Sequence, residues 1–323
     1  MIRGLVIGKF MPIHKGHVAL IEYACSQCDE LIVSMSYTPQ DPIAGDTRFE
    51  WVKSALAHES KVRPFAVLDD FDNEMLSLEE RTKTWSEFIK RVYPKIDLVI
   101  SSEAYGLPFA LHLGAQHLAF DPERKRIPVS ATMIRSRPMT YWTFIAEAAR
   151  YYFVTKICLF GAESTGKSTL ARRLAERYHT TFVPEVAREM IISNDFTVDD
   201  IMAIGKMHDE RIGQQSRLAN RLLFCDTDAI TTQIYSQHYL GMIPEILFEL
   251  ERKTRYTQYF LLDIDVPWVA DGLRDLGHRR EEMMRVFRDA LIKRDIPFVT
   301  VCGDFQNREA VMTKVVDELL ARS

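Results

Sequence analysis

Two segments of this chain are suited to chemistry on nucleotide phosphates. The segment GKFMPIHKGH ends in HKGH at residues 14–17, and the segment FGAESTGKST contains GAESTGKS at residues 161–168. The first pattern is typical of enzymes that attack ATP at its α-phosphate. The second is a P-loop, which positions the β- and γ-phosphates for transfer or hydrolysis. A chain that carries both is expected to perform two reactions on ATP.

The histidine motif lies between a predicted strand and a predicted helix. Adenylyl transfer requires the α-phosphate to be held in line and its developing charge to be stabilised. His14 and His17 at a helix start would donate to phosphate oxygens, and Gly16 would allow a close backbone approach. The nucleotide-binding residues predicted in this segment are Gly8, Lys9, Phe10 and Gly16.

A second segment, PVSATMIR at residues 128–135, supports the same site. Hydroxyl and N–H groups at Ser130 and Thr132 would cradle the terminal phosphates, and Arg135 would act as a charge clamp. The alternative is a helix N-cap at Ser130 with a solvated arginine. Because the segment shares one α/β unit with the histidine motif, we favour the phosphate site.

The P-loop follows an apolar strand and opens a helix, which is the context that this motif requires. Its backbone N–H groups would form an anion nest. Lys167 would bridge β- and γ-phosphate oxygens, and Ser168 would ligate Mg²⁺. The other nucleotide contacts predicted in the loop are Gly161, Ser164, Thr165, Gly166 and Thr169.

Charged residues after the next two strands predict the acceptor side of the P-loop site. Glu185 would accept the proton of a ribose 5′-hydroxyl, and Arg188 would contact the same substrate. Asp226 ends an apolar strand in a position suited to Mg²⁺, and Asp228 is predicted to bind substrate. The alternatives are a charge at a helix start for Glu185 and solvated acids for the aspartates.

The segment VPWVADGLRDLGHRREEM resembles a kinase lid. Arg274, Arg279 and Arg280 are predicted to neutralise charge on the transferred phosphoryl group, although a solvated helix face has the same pattern. Trp268 is predicted to stack on a planar base, with core or interface packing as the alternative. Gly303 and Arg308 follow the last strand, where the loop of related kinases frames the adenine.

Alternating strand and helix patterns are expected to position these residues. Apolar runs predict strands at 5–7, 31–35, 62–68, 97–100, 117–120, 155–160, 182–185, 222–225, 260–262 and 297–301. Helical spacing begins at Val18 and recurs at 49–57, 85–93, 168–178, 198–218 and 311–321. This rhythm predicts doubly wound parallel sheets, with ligands at the carboxyl ends of the strands. The aromatic-rich residues 139–153 are predicted to form a connecting helix.

Length and composition limit the remaining possibilities. The 323 residues are expected to form a nucleotidyltransferase domain at 1–150 and a P-loop kinase domain at 151–323. The net charge of -4 argues against nucleic-acid binding. The absence of a long apolar run or signal-peptide pattern predicts a cytoplasmic protein without a membrane partner. The pair Cys25 and Cys28 is interpreted as two partly buried helix residues.

The two N-terminal motifs resemble those of the HxGH/ISSxxR nucleotidyltransferase superfamily. Val129 and Ala131 replace the isoleucine and second serine of the second motif, whereas Ser130 and Arg135 remain. The departures fall at small or apolar positions, so we expect activity to be retained. Members of this superfamily use several acceptors, including nicotinamide mononucleotide, phosphopantetheine, FMN and pantoate, and the motif does not choose among them.

The whole chain resembles the NadR family of nicotinamide-mononucleotide adenylyltransferases and ribosylnicotinamide kinases. The resemblance runs from GKFMPIHKGH through SSEAYG, FDPERKRIPVSATMIR, FGAESTGKST and the DTD strand end to DVPWVADGLRDLG. It implies an α/β chain with a Rossmann-like N-terminal domain and a P-loop kinase C-terminal domain, ATP and Mg²⁺ as cofactors, and NAD as product. It assigns catalytic roles to His14, His17, Arg135, Lys167, Glu185 and Asp226.

The implied partners are ribosylnicotinamide, nicotinamide mononucleotide and ATP, and a homo-oligomer is left open. Tyr37, Trp85 and Tyr105 are predicted to bind substrate. Some family members carry an N-terminal helix-turn-helix, and because Met1 lies just ahead of the first strand we expect a form without it. Two alternatives are an adenylyltransferase and kinase for a flavin or another vitamin, and an NAD-sensing regulator with one vestigial site.

Overall fold

The computed structural model describes residues 1–73, 75–191, 193, 195–269 and 275–322 of the chain. These residues form two compact units, Met1–Arg150 and Tyr151–Arg322. Each unit is an α/β structure around its own five-stranded sheet. Within the described ranges, no helix is both long enough and apolar enough to cross a membrane.

The first unit alternates strands and helices. Its strands are β1 (Arg3–Gly8), β2 (Glu30–Tyr37), β3 (Val62–Leu68), β4 (Leu98–Ser101) and β5 (Gln116–Ala119). Its helices are α1 (Lys15–Gln27), α2 (Gly45–Ala55), α3 (Leu78–Val92), α4 (Gly106–Leu113), α5 (Ala131–Ser136) and α6 (Glu147–Arg150). The sheet order is β3-β2-β1-β4-β5, with parallel pairing between these strands. The order reverses at β1, so the loop after β1 opens into the crevice where such sheets bind ligands.

Burial explains why these segments form strands and helices. Residues 31–35 of β2 are buried in succession, as expected for a strand covered on both faces by helices. Helix α1 turns Leu20, Ile21 and Ala24 inward, the spacing of one helical face. The apolar face of α1 therefore packs on the sheet, and this packing determines the position of the loop between β1 and α1.

The second unit has the same alternation. Its strands are β6 (Thr155–Phe160), β7 (Thr181–Val183), β8 (Leu222–Asp226), β9 (Gln258–Leu262) and β10 (Phe298–Val301). Its helices are α7 (Lys167–Arg177), α8 (Ala187–Met190), α9 (Val198–Leu218), α10 (Ala229–Leu240), α11 (Glu245–Lys253), α12 (Arg280–Ile292) and α13 (Phe305–Arg322). The parallel sheet has the order β10-β9-β6-β8-β7. The P-loop leaves the central strand β6, again where the order reverses.

Every predicted strand is present, with ends displaced by one or two residues at most. The 198–218 helix also has the predicted bounds, because Thr197 and Asp200 form a capping box at its start. The sequence patterns did not predict α4, α8, α10, α11 or α12. They also began α2, α3 and α13 several residues too late.

The predicted connecting helix at 139–153 is wrong. The structure has a short 3-10 turn at Trp142–Phe144, the single-turn α6 and another 3-10 turn at Tyr151–Phe153. Ile145 is extended instead, and its backbone forms an antiparallel bridge with His14. This long-range pairing interrupts the helix, and local patterning could not reveal it.

The interpretation of the C-x-x-C pair as buried residues of a helix is confirmed for Cys25, and Cys28 lies at the end of the same helix. Cys25 lies in α1 and Cys28 follows its end, and both are free and buried. Burial raises the pKa of the Cys25 thiol to about 11. A thiol with so high a pKa carries little thiolate at neutral pH, so it is a poor nucleophile and metal ligand.

Candidate active sites

The histidine motif forms the turn from β1 into α1. His14 is the N-cap of α1, and its Nδ1 accepts a hydrogen bond from the Gly16 N–H at 3.1 Å. The rings of His14 and His17 stack with centroids 3.7 Å apart. The Phe10 ring meets His17 edge-on at 4.9 Å. The two imidazoles are therefore held side by side at a helix start, where the helix dipole attracts anions.

Both imidazoles are neutral at physiological pH. Burial, followed by the charge of Arg124, lowers the pKa of His14 to about 4. Burial also lowers the pKa of His17 well below its usual value, and His14 and Arg124 add to this effect. Because Nδ1 of His14 accepts a hydrogen bond, its proton lies on Nε2, which can donate to a phosphate oxygen. The pair therefore offers hydrogen bonds and not a positive charge.

Arg135 joins the second motif to the first. Its guanidinium donates to the Met11 carbonyl and to the Thr132 hydroxyl, the latter at 3.2 Å. Ser130 is the N-cap of α5, and its hydroxyl accepts a hydrogen bond from the Met133 N–H at 3.2 Å. The cap that we considered as an alternative is therefore present. The two motifs still share one site, because Arg135 contacts the loop that carries the histidines.

Glycines and an aromatic side chain shape this loop. Phe10 adopts a left-handed backbone conformation, φ 45°, which is rare for a bulky residue. A Cβ atom on Gly16 would lie 2.9 Å from the His14 ring, and one on Gly8 would lie 3.4 Å from the Phe10 ring. A side chain at position 16 would therefore clash with the His14 imidazole. We had predicted instead that this glycine allows the nucleotide to approach the backbone.

Arg48 is a buried cation beneath this loop that sequence analysis missed. Its side chain is fully buried and donates to the carbonyl oxygens of Lys9 at 2.5 Å, Ser36 at 3.2 Å and Ile43 at 2.9 Å. It also pairs with Asp41 at 2.5 Å. One guanidinium thus ties the loop after β1 to the end of β2 and the start of α2. Lys9 adds a weaker contact, with its Nζ 3.9 Å from Asp41.

The three aromatic residues predicted to bind substrate in the first unit lie in different packing environments. Tyr37 ends β2 and packs on the start of α2, where a Cβ on Gly45 would lie 2.7 Å from its ring. Trp85 and Tyr105 meet edge-on at 5.7 Å and pack on the core. The Tyr105 hydroxyl donates to a β1 carbonyl at 3.1 Å. Packing accounts for Trp85 and Tyr105, and their contact with substrate stays a prediction.

The P-loop turns from β6 into α7 through left-handed backbone conformations. Gly161 has φ 138°, Ser164 has φ 56° and Gly166 has φ 87°. A Cβ on Gly161 would lie 2.8 Å from the Leu262 carbonyl oxygen, so only glycine fits against β9. Such conformations turn successive N–H groups inward, and this creates a nest for anions.

Lys167 lies at the centre of this loop. Its side chain is buried, and its ammonium donates to the carbonyl oxygens of Gly161 and Ala162, each at 2.9 Å. The buried Thr165 hydroxyl also donates to Ala162, at 2.9 Å. The ammonium is therefore fixed where the β- and γ-phosphates of a P-loop nucleotide lie. The predicted residues Ser164, Gly166, Ser168 and Thr169 line the same cleft.

Asp226 provides a buried acid at the end of β8. Its side chain is fully buried, and neither carboxylate oxygen has a hydrogen-bond partner among the described residues. Burial, followed by the charge of Glu185, raises the pKa of Asp226 to about 6, while Lys167 and the nearby Ser168 oppose this rise. Such a carboxylate is costly unless it gains a partner. Asp226 and Ser168 therefore suit Mg²⁺, which commonly takes one or two protein oxygens together with substrate phosphates.

The cleft that the P-loop lines continues along α8, α9 and α10. Glu185 and Arg188 line it, and the Arg188 Nε atom lies 2.7 Å from a Glu185 oxygen. Its apolar and aromatic wall contains Ile191, Phe196, Ile201, Ile204, Tyr235 and Tyr239. An apolar wall with a few converging polar groups is typical of a small-molecule site. A carboxylate beside the phosphate loop can accept the proton of an attacking hydroxyl.

Asp228 has a different environment from Asp226. It is the N-cap of α10 and accepts hydrogen bonds from the Thr231 N–H at 2.8 Å and the Tyr259 hydroxyl at 2.9 Å. Burial raises the pKa of Asp228 to about 6, although these hydrogen bonds oppose the rise. The cap and the tyrosine account for its position, and its contact with substrate stays a prediction.

Arg308 supports the P-loop from behind. The side chain is fully buried and donates to the carbonyl oxygens of Gly303 at 2.8 Å, Thr165 at 2.7 Å and Asp263 at 2.9 Å. It also forms an ion pair with Asp265. We therefore interpret Arg308 as a positioning residue, because these contacts occupy the donors that would bind a nucleotide. Gly303 has φ 92°, which suits the turn that Arg308 holds.

The predicted lid is only partly described. Trp268 is half-buried, and the Arg280 guanidinium lies 5.5 Å from its ring centroid. Arg280 also donates to the Ser164 carbonyl at 3.4 Å, which links this segment to the P-loop. Arg279 pairs with a glutamate one turn along α12. Arg274 lies outside the described residues, and the lid role of the three predicted arginines stays a prediction.

The two units together define a class of protein that joins a nucleotidyltransferase-type site to a P-loop kinase-type site. The Cytidylyltransferase-like family model matches residues 5–137, and the AAA domain family model matches residues 156–308. The Trifunctional NAD biosynthesis/regulator protein NadR of Escherichia coli (strain K12) is 31% identical over 345 residues, which cover 98% of this chain and 83% of that protein. The chain belongs to the NadR family.

Two solved structures show the same fold. The crystal structure of a NadR protein in complex with NR has a TM-score of 0.79 at 23% identity and covers 98% of this chain and 95% of that one. The crystal structure of a NadR protein in complex with NAD and AMP-PNP has a TM-score of 0.78 at 24% identity, with coverage of 98% and 96%. The predicted fold class, a Rossmann-like unit plus a P-loop kinase unit, is confirmed.

The contacts of Arg48 predict that its replacement by lysine weakens the first unit. Arg48→Lys removes the fork of donors and leaves buried carbonyl oxygens unsatisfied, so we expect a loss of about 2–4 kcal/mol in the free energy of unfolding. Urea denaturation measures this loss. Arg63→Lys, at a half-exposed side chain on β3, is the matched control and should stay within about 0.5 kcal/mol. Equal stability of the two variants would contradict the role of Arg48.

The environment of Asp226 predicts that Asp226→Asn stabilises the protein without ligands. The pKa of this acid is raised in the folded state, so stability is lost as the pH rises from the unfolded pKa of about 4 to the folded pKa of about 6. The loss is complete above about pH 6 and absent well below about pH 4. Urea midpoints without nucleotide or Mg²⁺ should therefore rise in the variant at about pH 8, rise less at about pH 5 and converge with wild type near pH 4. A loss of stability at pH 8 would refute the assignment of an uncompensated buried charge.

Proposed function

We propose that this chain is a bifunctional enzyme of NAD synthesis. Its P-loop unit phosphorylates ribosylnicotinamide with ATP to give nicotinamide mononucleotide. Its histidine-motif unit transfers AMP from a second ATP to that product, giving NAD and pyrophosphate. The observation that carries the proposal is the presence of both phosphate-binding sites in one NadR-family chain. NadR proteins solved with NR and with NAD and AMP-PNP support these ligand classes.

In the kinase step, Glu185 accepts the proton of the ribose 5′-hydroxyl as that oxygen attacks the γ-phosphorus and ADP leaves. Arg188, paired with Glu185 at 2.7 Å, orients the carboxylate. Lys167 and the loop N–H groups stabilise the charge on the transferred group. Mg²⁺ held by Asp226 and Ser168 would offset the charge of the β- and γ-phosphates.

In the adenylyl step, a phosphate oxygen of nicotinamide mononucleotide attacks the α-phosphorus of ATP, and pyrophosphate leaves. His14 and His17 donate hydrogen bonds to the phosphate oxygens, and no proton transfer is required of them, because both the attacking and the leaving group are phosphate oxygens. Arg135 lies beside the same loop and supplies the positive charge. Positioning and electrostatic stabilisation account for the rate, as expected of transfer between phosphates.

The partners in this proposal are small molecules: ribosylnicotinamide, nicotinamide mononucleotide and ATP. A cytoplasmic location belongs to the same proposal. Its support is that all five cysteines are free and four are buried, which suits a reducing compartment.

Single substitutions should separate the two reactions. Lys167→Ala should lower phosphorylation of ribosylnicotinamide roughly 100- to 1,000-fold, because a charge-stabilising donor is lost. His17→Ala should lower adenylyl transfer by a similar factor. Steady-state rates for each half-reaction measure both effects, and each variant is the control for the other. Loss of both reactions in either variant, with the fold intact by circular dichroism, would contradict two separate sites.

The proposal as a whole is tested by offering Mg-ATP with ribosylnicotinamide or with nicotinamide mononucleotide in separate tubes. Mass spectrometry should find NAD in both. NAD from the mononucleotide alone would leave a P-loop unit with another substrate. Nicotinamide mononucleotide accumulating from the riboside without NAD would leave only a kinase. No turnover in either tube would refute the proposed acceptors.

A further inference from the structure

The P-loop carries an acid that a bound triphosphate does not explain. Glu163 lies in the loop between β6 and α7, and its Oε2 atom is buried without a hydrogen-bond partner among the described residues. A carboxylate repels phosphate oxygens, and an unpaired buried acceptor is costly. A partner other than the ATP phosphates is therefore needed to account for this side chain.

The surroundings of Glu163 point to the acceptor cleft. Glu163 lines that cleft together with Tyr235 and Tyr239, whose rings stack with centroids 6.3 Å apart at an interplanar angle of 23°. After burial, the charge of Glu163 contributes to raising the pKa of the Tyr235 hydroxyl. The Tyr239 hydroxyl donates to Asp275 at 2.5 Å. Aromatic rings beside carboxylates are a suitable environment for an organic cation.

Within the described part of the chain, no cation is dedicated to Glu163. Burial, followed by the charge of Asp275, raises the pKa of Glu163 to about 7, and Glu185 adds to this rise. Lys167 and a hydrogen bond from the Leu276 N–H oppose it, but the Lys167 ammonium is bonded to the loop carbonyls and lies in the phosphate site. Arg188 pairs with Glu185. A cationic ligand would therefore gain a carboxylate that has no cation of its own among the described residues.

A second unpartnered group lines the same cleft. His208 on α9 is 4% exposed, and its Nε2 atom has no hydrogen-bond partner in the described part of the chain. Burial lowers the pKa of His208 to about 4, so the imidazole is neutral at physiological pH. An uncharged hydrogen-bonding group on an apolar wall suits a neutral polar substituent such as a carboxamide. The cleft thus offers both an acid and a neutral hydrogen-bonding group to one ligand.

We propose that Glu163 binds the positively charged ring of the acceptor nucleoside and makes the kinase site select pyridinium ribosides over neutral nucleosides of the same shape. This inference rests on the proposed kinase function. Glu163 is then a specificity-determining residue that acts mainly through substrate binding, while Glu185 and Lys167 act on the transferred group. The expected effect of losing its charge is a higher KM for the cationic acceptor with kcat nearly unchanged.

The test compares ribosylnicotinamide with its uncharged 1,4-dihydro form in wild type and Glu163→Gln. Wild type should prefer the cation, and the variant should lose about tenfold in kcat/KM for the cation, chiefly through KM. Its kinetics with the dihydro form should stay within about threefold. Glu210→Gln, at an exposed position of α9, makes the same charge change away from the cleft and should behave as wild type.

The pH dependence supplies a readout that a structural role would not move. In wild type, the KM for ribosylnicotinamide should fall as the pH rises through about 7, because Glu163 ionises there, and Glu163→Gln should lack this fall. Asp226 is present in both proteins, so the difference between their pH profiles isolates Glu163. His208 titrates well below this range. Asp275, Glu185 and Lys167 face the group in both proteins.

Calorimetric binding of ribosylnicotinamide without ATP separates this proposal from the kinase assignment. Weaker binding in Glu163→Gln together with absent turnover in wild type would uphold the cation site and refute the kinase function. An equal loss for the cationic and dihydro forms would mean that Glu163 contacts a neutral part of the nucleoside, and this would overturn the proposal. Unchanged kinetics and binding in Glu163→Gln would overturn it as well.

Discussion

Both sites depend on one constraint: in a parallel sheet, a strand ends at the edge where the following helix begins. The first N–H groups of that helix have no partner within it and carry partial positive charge, so the junction attracts anions. The chain uses this junction twice, between β1 and α1 and between β6 and α7. Left-handed residues in each loop, Phe10 in the first and Gly161, Ser164 and Gly166 in the second, give the backbone its turn towards the edge.

The two junctions hold their side chains by opposite electrostatic means. In the first unit, burial keeps His14 and His17 neutral, and the buried Arg48 fixes the loop through carbonyl oxygens. In the second unit, Lys167 faces acids such as Asp226 whose pKa burial has raised. Ionising a buried acid without a partner lowers the stability of the fold. The acids beside Lys167 therefore suit cationic ligands, which would pair with their charge.

The sequence predicted the strands and both loops because their signals are local. Buried parallel strands are continuous apolar runs, and each motif begins where such a run ends. Contacts between distant residues were not predictable in this way. The bridge from Ile145 to His14 broke a helix that local spacing favoured. Arg48 precedes the predicted helix and has a charge that suggests exposure, although it lies in register with the buried Trp51 and Val52. The roles of the site residues still rest on the motifs and await measurement.

The central claim is that one chain carries a phosphoryl group from ATP through to NAD, and isotope tracing tests it most directly. The protein would be given ribosylnicotinamide and ATP labelled with ¹⁸O in the γ-phosphate. Mass spectrometry of the product would then locate the label. The account predicts that NAD carries the labelled oxygens on the phosphorus next to the nicotinamide riboside, including the oxygen that bridges the two phosphates, with none at the non-bridging positions of the adenylyl phosphate. NAD without label in that phosphate, or labelled nicotinamide mononucleotide that never becomes NAD, would contradict it.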